Sequence, residues 1–311
     1  MLKTPVLFLI FNRPVHTQKV FEQIRAAQPK RLFIAADGPR EGVEADIRNC
    51  EQARSYVLEN VDWDCEVKTL VRDRNLGCGV ACAEAITWFF ENVEEGIILE
   101  DDCLPDPSFF TFCSELLTHY RNEEHIMHIS GNNFQDGNKI GDASYYYSAY
   151  NHNWGWATWR RAWSRFRYSI TDFHRNTLST YLNYYGFNRQ ERNFWIGIFE
   201  NTFETWDYQW GYAIWKDSGL CILPNENLVI NIGFGSEATH TKMVPRFGQM
   251  KRGKIDQLVH PTQIRLDTEA DHYTFEHHFH VRDSFFRRLK NRLMLNSSVR
   301  MLYEKTRRLS V

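Results

Sequence analysis

The sequence has little excess of either charge sign and contains no long apolar run. Its 37 Lys and Arg residues against 39 Asp and Glu residues give a formal net charge of −2. A chain this close to neutrality is not a general nucleic-acid binder, because such proteins present a basic excess to the phosphate backbone. The first apolar run, residues 6–11, ends at Asn12, Arg13 and Pro14. Its length suits a strand rather than a signal peptide or a membrane span.

Paired cysteine spacing is also absent. The seven cysteines are an odd number and contain no C-x-x-C motif. This is typical of free thiols in a reducing compartment and favours a cytoplasmic location. The chain has no internal repeat and no low-complexity linker. With 311 residues, 43% of them hydrophobic and 24% charged, it is long enough for one large α/β domain with a sizeable core.

The first 105 residues alternate short apolar runs with amphipathic stretches, and this order predicts a mostly parallel sheet covered by helices. Strands are expected at about residues 5–11, 31–36, 66–72 and 96–100, and helices at 15–27, 42–60 and 78–92. Each predicted strand runs directly into polar residues. Because ligands bind beyond the carboxyl ends of parallel strands, we expect these polar groups at one shared edge of the sheet.

The character of the chain changes near residue 145. Before that point, a helix is predicted from Pro107 to about residue 121 and a strand over residues 126–130. After it, aromatic-rich segments lead into a charged amphipathic helix beyond Trp159, a helix over residues 207–217 and an interrupted strand pair over residues 220–232. The second half is therefore expected to be irregular.

Three consecutive carboxylates, Glu100, Asp101 and Asp102, follow the fourth predicted strand. Like charges this close raise each other's pKa, so the group needs a cation or strong hydrogen bonds. Mg²⁺ and Mn²⁺ prefer such oxygen ligands and keep open positions for substrate phosphates. The alternative for an acidic segment of this kind is a solvated loop or a helix N-cap.

The segment ILEDDCLPDPSFF at residues 98–110 resembles the acidic metal motif of GT-A glycosyltransferases. It looks similar to that of the Golgi mannoside N-acetylglucosaminyltransferases and related bacterial nucleotide-sugar transferases. Further segments agree with this family in order and spacing: FLIFNRP at residues 8–14, ADG at 36–38, RNLG at 74–77, GW at 155–156 and WDYQW at 206–210. The resemblance covers about residues 4–245, and it implies a GT-A, Rossmann-like α/β fold.

The resemblance implies an inverting, metal-dependent glycosyltransferase. Such an enzyme moves a sugar from a nucleotide-diphosphate sugar, a UDP-sugar in particular, to a hydroxyl of a glycan or glycolipid, with Mn²⁺ or Mg²⁺ as cofactor. On the donor side it implies nucleotide-sugar contacts from Arg13, Asp37, Asn75, Glu100 and Asp101, with Asp102 as the metal ligand. On the acceptor side it implies Trp154, Gly155, Trp156 and Gln209, with Asp207 as the general base.

His240 lies in a glycine-bearing loop late in the sequence. Neutral imidazole is a competent ligand for Mn²⁺-like ions, so we expect His240 to complete the metal and diphosphate site. The alternative is an exposed loop histidine. For Asp37 the alternative role is an ordinary turn after a strand, and for Asp207 it is a helix N-cap.

The C-terminal segment differs in charge from the rest of the chain. We interpret residues 1–270 as one domain, with a nucleotide-binding half to about residue 130 and an acceptor half over 131–270, followed by a basic helical tail over 271–311. Residues 282–311 contain nine Lys or Arg and two Asp or Glu, a net charge of +7. An apolar helix face opposite these basic residues suits an anionic membrane surface, such as the inner face of the plasma membrane. The alternative is a helix packed on the domain.

Two other functions are compatible with parts of this pattern. A sugar-phosphate nucleotidyltransferase shares the sheet and the carboxylates, but it would have a glycine-rich loop after the first strand, where this chain has Asn12, Arg13 and Pro14. A non-catalytic glycan- or membrane-binding protein on a transferase scaffold is the other alternative. The presence of Asp102 and Asp207 argues against such a decayed site.

Overall fold

The computed structural model describes residues 1–201, 205–234 and 250–280. Residues 1–274 form one compact unit, and a second unit begins at residue 275. Of the second unit the description covers only residues 275–280, in which Phe275–Phe279 form a π-helical turn. His240 and the basic residues 282–311 lie outside the described residues, so the predictions made for them stay predictions.

The first half alternates strands and helices as the hydrophobic pattern predicts. The elements are β1 (Val6–Ile10), α1 (Pro14–Ala27), β2 (Arg31–Ala36), α2 (Glu44–Glu59), β3 (Glu66–Val71), α3 (Cys78–Asn92) and β4 (Glu95–Glu100). Pro14 begins α1, a position where its missing N–H costs nothing. Gly77 precedes α3 with a positive φ of 78°, a conformation that favours glycine.

The second half is less regular. Its elements are β5 (Cys103–Pro105), α4 (Pro107–His119), β6 (Ile126–Ser130), β7 (Tyr145–Ser148), β8 (Trp156–Trp159), α5 (Arg160–Trp163), α6 (Arg175–Tyr184), α7 (Arg189–Phe199), α8 (Asp207–Lys216), β9 (Leu220–Pro224), β10 (Val229–Asn231) and α9 (Thr268–Thr274). The helix expected after Trp159 is a single turn, α5. The two strands expected over residues 220–232 are present as β9 and β10, but they do not pair with each other, because they belong to different sheets.

The main sheet has eight strands in the order β3-β2-β1-β4-β8-β6-β9-β7. The first four strands are parallel, and so are β6 and β9. The other three neighbouring pairs are antiparallel. The fold is therefore mixed α/β, and the predicted parallel sheet is confirmed for the first half.

The core lies on both faces of this sheet. Along β1, Val6, Phe8 and Ile10 are buried in one apolar cluster, while Leu7 and Leu9 are buried in the other. Fully burying a side chain of this kind stabilises the fold by about 1.5–3 kcal/mol relative to exposure. Helices thus cover both faces and leave the carboxyl ends of the parallel strands open at one edge.

A second, two-stranded sheet pairs β5 with β10 in antiparallel register, with Asn231 opposite Cys103. This pairing carries the chain beyond β10 back to the end of β4. None of the helices in the described parts of the chain is long and apolar enough to cross a membrane. All seven cysteines lie in these parts and are free thiols, as the sequence predicts.

Candidate functional site

A cleft of about 690 Å³ opens beyond the carboxyl ends of β1, β2, β3 and β4. This is the edge at which an open parallel sheet binds its ligands. Six of the residues singled out from the sequence line it: Arg13, Asp37, Asn75, Glu100, Asp101 and Asp102. The start of α3 forms one of its walls. The expected convergence of strand-end polar groups is therefore observed.

The acidic end of β4 is the most strongly perturbed part of the cleft. Burial, followed by repulsion from Cys78 and Asp102, raises the pKa of Glu100 well above its ordinary value. Burial and the charge of Asp102 raise the pKa of Asp101 to about 7, against the opposing effect of Arg13. The backbone N–H of Phe11 donates to Asp101 Oδ2 at 3.1 Å. This end of the strand thus carries more negative charge than its surroundings can readily stabilise.

Arg13 is the cation that faces these carboxylates. Its Nη1 lies 2.7 Å from Asp102 Oδ2 and 3.7 Å from Asp101 Oδ1. Burial lowers the pKa of Arg13, but the charges of Asp101 and Asp102 outweigh this effect and raise it. The guanidinium therefore stays charged at the centre of the cleft, where an anionic ligand can share it with the carboxylates.

Asp102 is enclosed on its other side by the chain that follows β10. The backbone N–H of Ile232 donates to the Asp102 carbonyl oxygen at 2.8 Å. A Cβ on Gly233 would lie 2.3 Å from Asp102 Oδ2, so only glycine fits at this position without displacing the carboxylate. The sequence marks the loop as glycine-bearing but does not show that Gly233 packs on Asp102, because that contact depends on the pairing of β5 with β10.

Asp37 and Asn75 bind each other across the loops that follow β2 and β3. Asn75 Nδ2 donates to Asp37 Oδ2 at 2.9 Å. The backbone N–H groups of Leu76 and Gly77 also donate to the Asp37 carboxylate. The pair forms the end of the cleft that leads into the first turn of α3.

Asp207 reaches the same electrostatic cluster from the second half of the chain. Its negative charge contributes to the raised pKa of Glu100 and opposes ionisation of Cys78. Burial raises the pKa of Asp207 itself, and the hydroxyl of Thr205 donates a hydrogen bond to its carboxylate. Trp206 occupies the N-cap position of α8 and makes no capping hydrogen bond through its side chain, and Asp207 is the first residue inside the helix. The N-cap alternative for Asp207 is therefore wrong.

The expected acceptor residues differ in exposure. Trp156 is fully buried in β8, where it stacks on His128 and Trp206, so its ring has no exposed surface for the acceptor contact that the resemblance implies. Trp154 is half-buried and contacts the ring of Phe234 edge-on, with centroids 5.5 Å apart. The expected acceptor role of Trp154 stays a prediction.

The other two expected acceptor residues are buried. Gly155 has a φ of +63°, and a Cβ there would lie 2.9 Å from Val229. Gln209 is buried in α8, and its Oε1 finds no hydrogen-bond partner in the part of the chain that the structure describes. Both residues are enclosed by the protein, and no contact with an acceptor follows from their geometry, so their expected acceptor roles stay predictions.

The cleft is also lined by residues that were not predicted from the sequence, among them Arg40, Arg72, Cys78 and Tyr168. Arg40 follows the ADG segment, and its Nε and Nη2 bind the buried carboxylate of Asp46 at 2.6 and 2.9 Å. This hydrogen bonding lowers the pKa of Asp46 to about 2. Arg40 and Arg72 follow β2 and β3 in the sequence. Basic residues at these positions could have indicated a cleft that is cationic as well as acidic.

The described residues of the cleft offer few ligands for a divalent ion. No group of three His, Cys, Asp or Glu side chains within residues 1–201, 205–234 and 250–280 is arranged to hold a metal. Asp102 nevertheless offers a carboxylate at the cleft, with 15% of its side chain exposed. Mg²⁺ is commonly bound through one or two carboxylates together with substrate phosphates. Among the described residues there is no all-protein cage for an ion, so a divalent ion bound at Asp102 would need phosphate oxygens of a ligand as further ligands.

No family model and no curated protein matches the chain. Among solved structures, HddC from Yersinia pseudotuberculosis is 8% identical over 51% of this chain and 77% of its own, with a TM-score of 0.31. TarS residues 1–349 from S. aureus are 9% identical over 54% of this chain and 51% of that chain, with a TM-score of 0.35. The chain thus spans about half the length of the TarS fragment. Similarity at this level carries no argument about the function of this chain.

Proposed function

We propose that this chain is an inverting, metal-dependent GT-A glycosyltransferase that uses a nucleotide-diphosphate sugar, a UDP-sugar in particular, as donor. The observation that carries the proposal is a cleft in which the carboxylates at the end of β4 meet the guanidinium of Arg13 after β1. Asp207, from the second half, lies near enough for its charge to contribute to the raised pKa of Glu100. The cation suits a diphosphate, and the separate carboxylate suits an acceptor hydroxyl.

On the donor side, Arg13 neutralises negative charge on the leaving diphosphate. Asp102 would hold a divalent ion together with the donor phosphates, and His240 is the further ligand expected from the sequence. The ion, when bound, supplies Lewis-acid stabilisation of the charge that develops on the leaving group. Asp101 keeps the Asp102 backbone in place through its hydrogen bond to the loop after β1.

On the acceptor side, Asp207 takes the proton of the attacking hydroxyl. The hydroxyl oxygen forms a bond to the anomeric carbon as the bond from that carbon to the diphosphate oxygen breaks, and the proton passes to the Asp207 carboxylate. Burial makes this carboxylate a stronger base than an exposed aspartate. No covalent intermediate with the protein is formed, so the anomeric configuration inverts. The acceptor is a glycan or glycolipid hydroxyl.

The proposal is tested with Asp102→Asn and a panel of UDP-, GDP- and CDP-sugars. Binding of the donor in Mn²⁺ raises the apparent melting temperature, because a ligand of the native state stabilises it. The wild type should show this shift with one donor class and release the nucleoside diphosphate. Asp102→Asn should keep the unliganded melting temperature and lose the Mn²⁺-stimulated reaction. Asp64→Asn, an equal change of charge at an exposed position, should retain it.

Two outcomes would contradict the proposal. Full activity of Asp102→Asn, or of the wild type in excess chelator, would remove the metal assignment. Formation of a nucleotide-sugar and pyrophosphate from a nucleoside triphosphate and a sugar 1-phosphate, without release of a nucleoside diphosphate from any nucleotide-sugar, would identify a nucleotidyltransferase instead.

A further inference from the structure

The hydrogen-bond acceptor positions of the Asp37 carboxylate are all occupied by donors from the protein itself. Its Oδ1 accepts from the backbone N–H groups of Gly38 at 2.9 Å and Leu76 at 3.0 Å. Its Oδ2 accepts from Asn75 Nδ2 at 2.9 Å and from the backbone N–H groups of Leu76 and Gly77, each at 3.2 Å. A carboxylate has about four lone-pair positions, so these five contacts leave none for another donor.

This occupancy conflicts with a role for Asp37 in binding a nucleobase. A base that is read by a carboxylate must donate an N–H to one of its oxygens, and both Asp37 oxygens already have two or more donors. Only 9% of the residue surface is exposed. The carboxylate instead holds the loop that leads from β3 into the first turn of α3.

The same bonds determine which atom Asn75 can offer to a ligand. Both protons of its Nδ2 are in use, one donated to Asp37 Oδ2 and the other to the Gly38 carbonyl oxygen, each at 2.9 Å. The two acceptors fix which end of the amide is nitrogen. Because Asn75 lines the cleft, its Oδ1 is the atom left for a ligand.

Two further contacts make the loops after β2 and β3 one rigid unit. Arg54 Nη2 from α2 donates to the carbonyl oxygens of Asp37 at 2.8 Å and Arg72 at 2.9 Å. A Cβ on Gly38 would lie 2.4 Å from the Arg74 carbonyl carbon, so the two backbones are as close as glycine permits. Asn75 therefore cannot rotate its amide without breaking this unit.

We propose that Asp37 is a positioning residue rather than a ligand contact, and that the Asn75 Oδ1 it holds in place accepts a hydrogen bond from a ribose hydroxyl. The ligand's identity as a nucleotide rests on the function proposed above. Ionised phosphate oxygens are acceptors and have no proton to give to Oδ1. The ligand group opposite Asn75 must therefore be a hydrogen-bond donor, which a ribose hydroxyl is and an ionised diphosphate oxygen is not.

The positioning role is tested first without ligand, by amide hydrogen exchange. Asp37→Asn replaces an acceptor by an N–H₂ group that faces Asn75 Nδ2 and the Gly77 N–H. Losing a cap of this kind costs about 1 kcal/mol, which corresponds to about a 5-fold change in an opening equilibrium. The amides of Leu76 and Gly77 should therefore exchange about 5-fold faster or more.

The matched control is Asp106→Asn, which alters a carboxylate that accepts from the Ser108 N–H at the start of α4, outside the cleft. It should leave exchange at residues 76 and 77 unchanged. Wild-type exchange rates at these two amides in Asp37→Asn would overturn the positioning role, whether or not the chain binds nucleotides.

The ligand-facing part is tested by calorimetry with UDP, 2′-deoxy-UDP, 3′-deoxy-UDP and inorganic pyrophosphate. One ribose hydroxyl should contribute about 5-fold to the wild-type affinity, as expected for a single neutral hydrogen bond of about 1 kcal/mol. Asn75→Ala should bind UDP and the corresponding deoxy compound equally, and its affinity for pyrophosphate should not change. Asp37→Asn should reduce the hydroxyl preference and retain the wild-type ratio of UDP to CDP affinity.

Loss of that UDP-to-CDP ratio in Asp37→Asn would show that Asp37 contacts the base and would overturn the proposal. Weaker pyrophosphate binding in Asn75→Ala would likewise overturn it, since it would place Asn75 at the diphosphate. A wild type that binds none of the nucleotides would end the proposed function and the ribose contact with it, while the exchange experiment would still decide the role of Asp37.

Discussion

In residues 1–105 the polar groups of the site follow four parallel strands, whereas in the second half Asp207 begins a helix among stacked indoles. Trp206, next to Asp207, packs on Trp156 with ring centroids 5.5 Å apart and on Trp163 at 6.2 Å. The first region places its charges by sheet topology and then ties them together with hydrogen bonds. The second region places one carboxylate by aromatic packing. Substitutions in the first region should therefore disturb several groups at once, and substitution of Asp207 should act on one.

The largest effect expected from this comparison is that of Asp207→Asn on sugar transfer. Asn is nearly isosteric and can still accept the bond from Thr205, but it cannot take the acceptor proton. We expect unchanged melting temperature and donor affinity with a loss of transfer of about 10²-fold or more, the usual contribution of general acid–base catalysis. Radiometric transfer assays at saturating donor would measure it.

The pH profile adds a second readout for the same residue. The base must be ionised to work, and burial raises its pKa. Transfer by the wild type should therefore rise with pH through this raised pKa and then level off, and the residual rate of the variant should lack that rise. Near-normal transfer by Asp207→Asn would locate the base elsewhere, with Asp217 and Glu237 as the next residues to substitute.

A smaller effect, on the free energy of unfolding, is expected at His128. This polar residue is buried in the core of the second half and does not line the cleft. Its Nδ1 accepts from Trp210 Nε1 at 3.2 Å, and its Nε2 lies 3.1 Å from the His152 carbonyl oxygen. Burial lowers the pKa of His128 to about 3. The folded state therefore keeps this ring neutral, while the unfolded state takes up a proton below about pH 6.5.

Stability from His128 is thus lost as pH falls from about 6.5 towards 3. Between pH 7 and pH 5 the loss amounts to about 2 kcal/mol, given an unfolded pKa near 6.5. Asp101 and Asp271, whose pKa values burial raises to about 7, act in the opposite direction, because their folded forms bind protons more readily. Both carboxylates are also present in His128→Gln, so their contributions cancel in the difference in unfolding free energy between the wild type and this variant.

The measurement is urea unfolding of the wild type and His128→Gln at pH 7 and pH 5. The stability advantage of the wild type should shrink by about 2 kcal/mol between the two pH values. Parallel pH curves for the two proteins would show that His128 is not held neutral in the core.

The same contrast explains how far sequence reasoning reached. Alternating apolar runs predict β1 to β4 and their helices within one or two residues, and the rule for parallel sheets then brings Arg13 to Asp101 and Asp102. These inferences need only local periodicity and one topological rule. They fail where partner choice is tertiary, as with β9 and β10, which are adjacent in the chain yet pair with different strands.

Trp156 and Asp37 show why other features of the candidate site could not be predicted from the sequence. Trp156 lies in a strand whose four residues are all buried, so no alternation distinguishes a packed indole from an exposed one. Asp37 follows β2 as a ligand-binding carboxylate would, but the number of donors on its oxygens depends on where the loop after β3 lies. Residue type and spacing determine which functional groups a site can offer. The folded structure determines whether those groups are already bonded to other parts of the protein.

The smallest expected effect concerns Gly197, in the last turn of α7 and outside the lining of the cleft. A Cβ at Gly197 would meet nothing within 4 Å, and its φ lies outside the positive range. Gly197→Ala should therefore stabilise the protein by about 0.5–1 kcal/mol, because alanine loses less backbone entropy on folding. Gly186 is the matched control in the same half, since its φ of +77° makes alanine strained there, and Gly186→Ala should destabilise by about 1 kcal/mol. Calorimetric melting of both variants checks the opposite signs. Destabilisation by Gly197→Ala would mean that other side chains pack against α7 at this position. Stabilisation with unaltered transfer would show that α7 stabilises the second half without taking part in the site.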